Sequence, residues 1–264
     1  MFYQAEGITN LRDLGGIKTK DGHVIKSGLL FRSGQPSAEL PEQTVSLLRG
    51  FHLDLIVDLR DSRSAKEHPD YDFGDIPYLN SPIFEIMDPN SGVNPIDIKR
   101  VEDSLVGKRL SVKEYRELVA EFLEMYRRMP FSLGFNPVFE AMDQHKTVLF
   151  HCQGGKDRTG LMSFFILSAF GVSKRRVVRD YLDSNKGRKA RNLWRLRIIW
   201  RETHQPHAIH FMKKILVTNR KNIRVMVKAI NEKYGSINNY LEKQFGITKE
   251  RVADWKAFYL EAAK

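Results

Sequence analysis

The most informative part of the sequence is HCQGGKDRTG, residues 151–160. It follows a short apolar run, residues 147–150, whose β-branched and aromatic side chains are typical of a buried strand. It precedes a longer apolar run, residues 161–170, with the character of a buried helix. The pattern therefore predicts a strand, a glycine-containing loop and a helix, in which the loop amides and the helix N-terminus form a site for an anion.

Two side chains make this loop chemically specific. Cys152 opens it, and a thiol beside a helix N-terminus is stabilised as the thiolate, with a pKa in roughly the 3.5–7.5 range. Arg158 closes it, and its planar guanidinium can bind two oxygens of a phosphate. Thr159 can donate its hydroxyl to the sulfur. The arrangement favours a nucleophilic cysteine that accepts a phosphoryl group. The alternatives are a buried structural cysteine and a loop that binds phosphate without chemistry.

The loop resembles the signature of the cysteine-based protein tyrosine phosphatases, in particular their bacterial and fungal branch. That branch acts on tyrosine and lipid phosphates and includes the secreted triple-specificity phosphatases of mycobacteria and Listeria. Four more stretches are similar to it: NLRDLGG at 10–16, FRSG at 31–34, VDLR at 57–60 and DYL-x-SN at 180–185. The likeness covers residues from about 8 to 186 and continues weakly to the C-terminus. Gly154 departs from it, because the family usually has alanine there.

We therefore expect a cysteine-dependent phosphomonoesterase that works through a phosphocysteine intermediate. The resemblance implies phosphotyrosine, with phosphoserine or phosphothreonine as further candidates, and phosphoinositides as substrates. No metal and no organic cofactor are expected. The alternative is a catalytically weak protein that binds phosphoanions or nucleic acid on the same fold. Such a protein would normally have lost the cysteine, the arginine or every candidate acid, and none of these is missing.

Transfer of a phosphoryl group to Cys152 needs a proton for the leaving oxygen. Asp157, inside the loop, is the first candidate for this general acid, and the resemblance supports it because the family carries an aspartate there. Its alternative role is a structural carboxylate that pairs with Arg12 or a backbone amide. Asp61, just past the end of a predicted strand, is the second candidate.

The other candidate residues are expected to bind the substrate: His151, Gln153, Gly154, Gly155, Lys156 and Arg60. Lys156 adds a second cation, and its resemblance to the loop lysine of tensin-like lipid phosphatases hints at phosphoinositides; the alternative is an exposed, solvated lysine. His151 is expected to support the loop through backbone hydrogen bonds. It is not expected to bind a metal, because no cysteine or histidine lies at ligand spacing nearby. The alternative for Arg60 is an ion pair with Asp58 that supports the loop.

The net charge of +11 lies in one segment. Residues 186–228 hold 13 lysines and arginines and one acid, Glu202, whereas the rest of the chain is nearly neutral. We expect this segment to offer a surface for anionic lipid headgroups or a polyphosphorylated substrate. A solvated basic face is the alternative. Nucleic-acid binding is not expected, because no known DNA- or RNA-binding module is present.

The 264 residues contain one cysteine, which excludes intrachain disulfides and is consistent with a reducing compartment. No apolar run reaches the roughly 18 residues that span a bilayer. The N-terminal residues lack a basic stretch followed by an apolar one, so a cytoplasmic protein, or one secreted without a classical signal peptide, is expected. The oligomeric state cannot be predicted from these features.

Strands alternate with helices along the chain, which predicts an α/β fold: a central, mostly parallel sheet flanked by helices. We expect one domain, 1–264, with a catalytic core at 1–185, a helical insert at about 104–143 and a basic, helical C-terminal part at 186–264. The predicted elements are a hairpin at 17–33 around an Asp21-Gly22 turn, a strand at 53–59, an edge strand at 76–83, a loop at 88–104, a helix capped by Ser111 and Glu114, a short helix from Asn136, a helix capped by Ser173, and two or three further helices.

Overall fold

The structure of the protein is a computed structural model that describes residues 1–84 and 111–263. This part of the chain contains seven strands: β1 (Arg12–Asp13), β2 (His23–Ile25), β3 (Leu30–Gly34), β4 (Leu55–Asp58), β5 (Tyr78–Asn80), β6 (Val148–Cys152) and β7 (Leu260–Ala262). It also contains eleven α-helices: α1 (Glu42–Arg49), α2 (Ser62–Glu67), α3 (Val112–Arg128), α4 (Asn136–Asp143), α5 (Arg158–Ala169), α6 (Lys174–Gly187), α7 (Lys189–Thr203), α8 (Pro206–Leu216), α9 (Arg220–Tyr234), α10 (Ile237–Phe245) and α11 (Lys249–Tyr259).

The central sheet has five strands in the order β1-β3-β6-β4-β5. Strands β3, β6, β4 and β5 run parallel, and β1 pairs antiparallel with β3 at one edge. Strand β6 is central, and all of its residues are buried, as expected for a parallel strand that is covered on both faces. The predicted α/β class with a mostly parallel sheet is confirmed.

The alternating side chains of the strands build a separate core on each face of the sheet. Leu149 of β6 packs with Phe31 and Ile56 on the face that α1 covers through Leu48. Its neighbours Val148 and Phe150 belong to the larger cluster on the opposite face, which includes most of α5. This packing fixes the direction of β6 and therefore the position of the loop that follows it.

The strand, loop and helix predicted from residues 147–170 are confirmed. Strand β6 ends at Cys152 and helix α5 begins at Arg158. Nine residues of α5, from Thr159 to Leu167, are buried, which explains why this helix is apolar all round. The loop between them thus sits on two elements that are rigidly held by the core.

Several predicted element ends are confirmed as well. Ser111 and Glu114 form the capping box of α3, and Ser173 caps α6 by accepting a hydrogen bond from the backbone of Arg176. Helix α4 begins at Asn136. Strand β5 lies at the edge of the sheet, where the flanking prolines do not interrupt a ladder.

The first half of the predicted hairpin is confirmed: across the Asp21-Gly22 turn, Thr19 donates its backbone N–H to the carbonyl oxygen of His23 at 2.9 Å, and Lys18 bridges Val24 antiparallel. The second half is wrong, because β3 joins the central sheet beside β6, and β2 pairs in addition with β7 at the far end of the chain. A further prediction about the peripheral elements is wrong. Five helices and a strand follow α6 among the described residues, in place of two or three helices. The predicted loop at 88–104 and the start of the predicted insert, 104–110, lie outside the described residues.

The C-terminal helices share their core with the sheet. Phe211 of α8 and Trp255 of α11 belong to the same hydrophobic cluster as Phe165 of α5. The proposed boundary near residue 186 therefore falls at the end of helix α6, within one packed body of side chains. Among the described residues, no helix combines the length and the apolar character that crossing a bilayer requires.

Candidate active site

The loop at 153–157 lies where the carboxyl ends of three parallel strands meet. Cys152 at the end of β6 is in register with Gly34 at the end of β3, and His151 is in register with Asp58 at the end of β4. This edge is where α/β folds place their ligands. The chain segments that follow β3 and β4 therefore line the same opening as the loop.

The loop depends on a glycine with a left-handed backbone. Gly155 has a φ of +60°, and a Cβ atom there would run into the backbone of Ser33 and Gly34. Its carbonyl oxygen accepts hydrogen bonds from Nδ2 of Asn10 at 2.5 Å and from Nη2 of Arg32 at 2.9 Å. Asn10 and Arg32 belong to two of the stretches on which the family resemblance rests, at 10–16 and 31–34, and these stretches thus support the loop.

A buried ion cluster anchors these supports to helix α6. Oδ2 of Asp180 lies 2.6 Å from Nη1 of Arg32, and Oδ1 lies 3.2 Å from Nε of Arg12. Burial would raise the pKa of Asp180, but the charges of the two arginines outweigh burial and hold it below its usual range. For Arg32, burial and the charge of Arg12 lower the pKa to about 9. In the sequence these stretches only carried the resemblance, apart from Arg12 as a possible partner of Asp157. The available signal was the position of Arg12 and Arg32 among apolar residues.

The electrostatics of the loop favour a thiolate at Cys152. The side chain is 3% exposed, and this burial alone would raise the pKa of the thiol. The charge of Arg158 and hydrogen bonding from Thr159 outweigh burial and lower the pKa to about 7. The Thr159 hydroxyl is fully buried and, among the described residues, has no nitrogen or oxygen partner, which leaves it free to donate to the sulfur.

Arg158 is aimed by the segment that follows β4. Its Nη1 donates to the carbonyl oxygen of Leu59 at 3.2 Å and lies 3.9 Å from Oδ2 of Asp61. The other oxygen of Asp61 accepts the backbone N–H of Ser64 at 2.8 Å and caps helix α2. The structure therefore brings Asp61 to the loop beside Arg158, with one carboxylate oxygen committed to the cap.

Asp157 is held by two tyrosines and a lysine. Its Oδ1 accepts hydrogen bonds from the hydroxyls of Tyr126 at 2.6 Å and Tyr181 at 3.1 Å, and Oδ2 lies 2.5 Å from Nζ of Lys156. Burial, followed by the charge of Asp157, raises the pKa of both tyrosines well above the usual value, so both phenols are donors. Arg12, one of the two partners that we considered for a structural Asp157, pairs with Asp180 instead, and the two tyrosines were not among the candidate residues.

Lys156 points into the protein. The side chain is 6% exposed, and Nζ donates to the carbonyl oxygen of Ile215 in helix α8 at 2.6 Å. Burial lowers its pKa, while the adjacent Asp157 opposes that shift. The alternative of an exposed, solvated lysine is therefore wrong. Lys156 ties the loop to the C-terminal helices.

His151 lies between two carboxylates. Its Nε2 is 2.9 Å from Oδ2 of Asp70 and its Nδ1 is 3.7 Å from Oδ1 of Asp58; these are ion-pair contacts without hydrogen-bond alignment. Burial would lower the pKa of the ring, but the carboxylates outweigh burial and raise it. The carbonyl oxygen of His151 accepts the backbone N–H of Leu59 at 2.8 Å, as expected of a residue that supports the loop through backbone hydrogen bonds, whereas the ring nitrogens have no hydrogen-bond partner among the described residues. The raised pKa favours the protonated ring, which lies between the carboxylates of Asp58 and Asp70.

Arg60 forms ion pairs with the same two carboxylates. Its Nη2 lies 2.6 Å from Oδ2 of Asp58 and 2.8 Å from Oδ1 of Asp70, and the side chain is 1% exposed. This matches the supporting role that we gave as its alternative. His151, Asp58 and Asp70 are close enough to offer a cation three ligand atoms. The Arg60 guanidinium already supplies the positive charge there, which disfavours a metal.

The outer part of the loop meets a residue that sequence reasoning missed. Gln153 is exposed, and its carbonyl oxygen accepts the backbone N–H of Gln35 at 3.3 Å. The carbonyl oxygen of Gly154 accepts a hydrogen bond from Nη1 of Arg188 at 3.0 Å. Nothing in the sequence singles out Arg188 from the other cations of the basic segment.

The comparisons with known proteins agree with this geometry. A family model described as "Tyrosine phosphatase family" matches residues 3–261. A Cupriavidus necator protein that carries the name tyrosine-protein phosphatase is 29% identical over 256 residues, which cover 96% of this chain and 86% of that protein. The triple specificity protein phosphatase PtpB of Mycobacterium tuberculosis is 27% identical over 266 residues, covering 93% of this chain and 94% of that protein.

Among solved structures, the crystal structure of TpbA from P. aeruginosa covers 82% of this chain and 96% of its own, with 15% identity and a TM-score of 0.32. The family model spans nearly the whole chain and includes the loop, its supports and the C-terminal helices. The chain belongs to the tyrosine phosphatase family and is a protein-tyrosine phosphatase.

Proposed function

We propose that Cys152 is the nucleophile that takes the phosphoryl group from phosphotyrosine. Its thiolate attacks phosphorus, so a P–S bond forms and the P–O bond to the tyrosine oxygen breaks. Water then attacks the phosphocysteine and releases inorganic phosphate and the thiolate. The observation that carries this proposal is the thiol at the end of β6, whose pKa is lowered to about 7 by Arg158 and Thr159 against the effect of burial.

In this mechanism the loop binds the phosphoryl oxygens. Arg158, fixed by the carbonyl oxygen of Leu59, presents its remaining N–H groups to two of them. The backbone amides of the loop, including those of Gln153, Gly154 and Gly155, supply the other donors. Thr159 stabilises the sulfur as it leaves in the second step.

The leaving tyrosine oxygen needs a proton, and we assign this role first to Asp157. The side chains of Tyr126, Tyr181 and Lys156 fix its carboxyl group next to Arg158. Lys156 contacts the second carboxylate oxygen and fixes the orientation of Asp157, so it acts as a positioning residue. Asp61 stays the second candidate, since its Oδ2 also lies beside Arg158.

The two candidates differ in a measurable way. Replacement of the general acid should cost about 10²–10³ in kcat on substrates with poor leaving groups and much less on aryl phosphates with good ones. We expect this pattern for Asp157→Asn and not for Asp61→Asn. The reverse pattern would transfer the role to Asp61. If neither variant shows this dependence on the leaving group, neither aspartate is the general acid.

We also propose that the substrates extend to phosphoinositides and to phosphoserine or phosphothreonine. The support is the positive charge of residues 186–228 and the likeness to a triple specificity protein phosphatase. A comparison of kcat/KM for phosphotyrosine, phosphoserine and dioctanoyl phosphatidylinositol phosphate tests this. Turnover of phosphotyrosine alone would restrict the function to that residue.

Helix α7 carries the surface that we propose to contact an anionic membrane. Its exposed face, here called the tryptophan–arginine face, consists of Leu193, Trp194, Arg197, Trp200 and Arg201. These residues recur at helical spacing, and the side chains of Leu193, Trp194 and Trp200 are 48, 61 and 47% exposed. Tryptophan prefers the membrane interface and arginine is attracted to anionic lipids. The combination therefore matches an anionic bilayer better than a neutral one.

Vesicle cosedimentation tests this surface. We expect binding to phosphatidylserine-containing vesicles that weakens with salt, and little binding to phosphatidylcholine alone. Trp194→Ala with Trp200→Ala should reduce binding, whereas Glu202→Ala, on the same helix, should not. Equal binding by the tryptophan variant would reject the membrane role. Stronger binding to a nucleic acid than to vesicles would favour the alternative of a nucleic-acid-binding protein.

A further inference from the structure

Four arginines are buried among the described residues, and three of them have a buried carboxylate as partner. Arg12 and Arg32 share Asp180, and Arg60 pairs with Asp58 and Asp70. The fourth, Arg188, is 5% exposed, and no carboxylate of the described residues lies within 4 Å of it. A buried guanidinium without a counterion is costly, so an unpaired one calls for an explanation.

The position of Arg188 relates it to the loop. It stands between helices α6 and α7, and its Nη1 donates to the carbonyl oxygen of Gly154, two residues after Cys152. Its Nε is buried and has no hydrogen-bond partner among the described residues. Asn185 holds the end of α6 in place through hydrogen bonds to both backbone groups of Thr218, at 2.8 Å each. The guanidinium is therefore held at the loop, and its Nε–H group has no acceptor among the described residues.

The charges around Arg188 are arranged for an anion. Burial and the charges of Arg191 and then Arg195 lower its pKa, whereas Asp157 and the thiolate of Cys152 raise it; the net result is a pKa of about 10. At neutral pH the side chain is therefore charged. It carries a positive charge close enough to the nucleophile to interact with it, and the neighbouring arginines add to the positive potential instead of neutralising it.

Gly154 leaves the space that the arginine occupies. A Cβ atom at this position would collide with the guanidinium of Arg188. The backbone of Gly154 does not need a left-handed φ, so conformation alone does not require glycine here. The glycine at position 154 and the arginine at position 188 therefore depend on each other, because the missing side chain makes room for the guanidinium.

We propose that Arg188 binds a second phosphate group of the substrate, adjacent to the one that is held by the loop and Arg158. This inference rests on the proposed function and names the residue that would select polyphosphorylated substrates. Lys156 does not fill this role, because its ammonium is committed to Asp157 and to the carbonyl oxygen of Ile215. A purely structural Arg188, which only fixes the Gly154 carbonyl, would affect every phosphate ligand equally.

Isothermal titration calorimetry on the full chain separates these roles without requiring turnover. The probes are inorganic phosphate and pyrophosphate, which have one and two phosphate groups. The wild-type chain should bind pyrophosphate more tightly. Arg188→Ala should raise the Kd for pyrophosphate about tenfold or more, as expected for loss of a charged hydrogen bond, and change the Kd for phosphate much less. Lys189→Ala removes an exposed charge one residue away and serves as the matched control.

Arg188→Gln supplies a second variant that keeps a long side chain with a donor for the Gly154 carbonyl oxygen but removes the positive charge, so it decides the question if Arg188→Ala does not fold. It should show the same selective loss of pyrophosphate binding. Parallel loss of both anions in Arg188→Ala or in Arg188→Gln, or an equal loss in Lys189→Ala, would overturn the proposal.

Two substrates then distinguish the source of the second phosphate. They are dioctanoyl phosphatidylinositol bisphosphate and a peptide with two adjacent phosphotyrosines. Arg188→Ala should lower kcat/KM for whichever of them the wild-type enzyme prefers, relative to a peptide with one phosphotyrosine. If the wild type hydrolyses no phosphoinositide, the proposed lipid activity fails, while the calorimetry still decides the role of Arg188.

Discussion

Asp180 is the residue whose removal should destabilise the protein most clearly. Its carboxylate is 4% exposed and is the only carboxylate of the described residues within ion-pair distance of Arg12 and Arg32. Asp180→Ala would leave both buried guanidinium groups without a counterion. Breaking a buried ion pair in this way costs about 3–5 kcal/mol of the free energy of unfolding. For a chain of this size that corresponds to a fall in Tm of roughly 6–20 °C.

Asp183 offers a matched control on the same helix. Its carboxylate contacts Lys186 at 2.8 Å and Arg176 at 4.0 Å near the surface, where an ion pair contributes about 0–1 kcal/mol. Thermal and urea unfolding of Asp180→Ala and Asp183→Ala should therefore differ by several kcal/mol. If Asp180→Ala is no less stable than Asp183→Ala, the buried cluster does not hold the loop supports together as we argue.

The pH dependence of this difference has a definite sign. The two arginines hold the pKa of Asp180 below its unfolded value of about 3.9. Its contribution to stability is therefore complete above that value and is lost as pH falls through the folded pKa. The gap between wild type and Asp180→Ala should be constant near neutral pH and shrink under acid conditions. A gap that grows as the pH falls would contradict the ion-pair account.

Three further predictions concern the loop. The rate of alkylation of the single cysteine by iodoacetamide should rise with pH around an apparent pKa of about 7. Thr159→Val should move that midpoint to higher pH, and an unshifted midpoint would show that Thr159 does not stabilise the thiolate. Gly155→Ala should abolish phosphate binding, because its φ of +60° and the backbone of Ser33 exclude a side chain; calorimetry with phosphate measures this, and unchanged affinity would refute it. Arg158→Lys should lose both kcat and phosphate affinity, since the planar fork is lost, and retention of either above about a tenth would refute the bidentate contact.

The centre of the fold was predictable because its signals are local. The apolar runs on either side of residues 151–160 specify a strand and a helix by themselves, and a cysteine and an arginine with five residues between them predict an anion site there. The caps at Ser111 and Ser173 are similarly local. Each of these depends on residues that are neighbours along the chain, so periodicity and capping rules were sufficient.

The features that the sequence did not indicate are contacts between distant parts of the chain. Strand β2 forms the expected local hairpin with residues 17–19, but its second partner, β7, lies more than 230 residues later. The hydroxyl of Tyr126 in helix α3 contacts Asp157, which lies 31 residues later. Lys156 and Arg188 both have polar neighbours along the chain. Only the packing of helices α6 to α8 shows that both side chains are buried. A charge pattern does not reveal which cations the tertiary structure covers.

In the mechanism that we propose, the phosphoryl group passes through the sulfur of Cys152. Rapid acid quenching during turnover of a phosphotyrosine peptide, followed by proteolysis and mass spectrometry, tests it directly, since the chain has a single cysteine. We expect one added phosphoryl group on the peptide that contains Cys152, and its absence in Cys152→Ser. Full turnover by Cys152→Ser, or a phosphoryl group on any other residue during turnover, would contradict it.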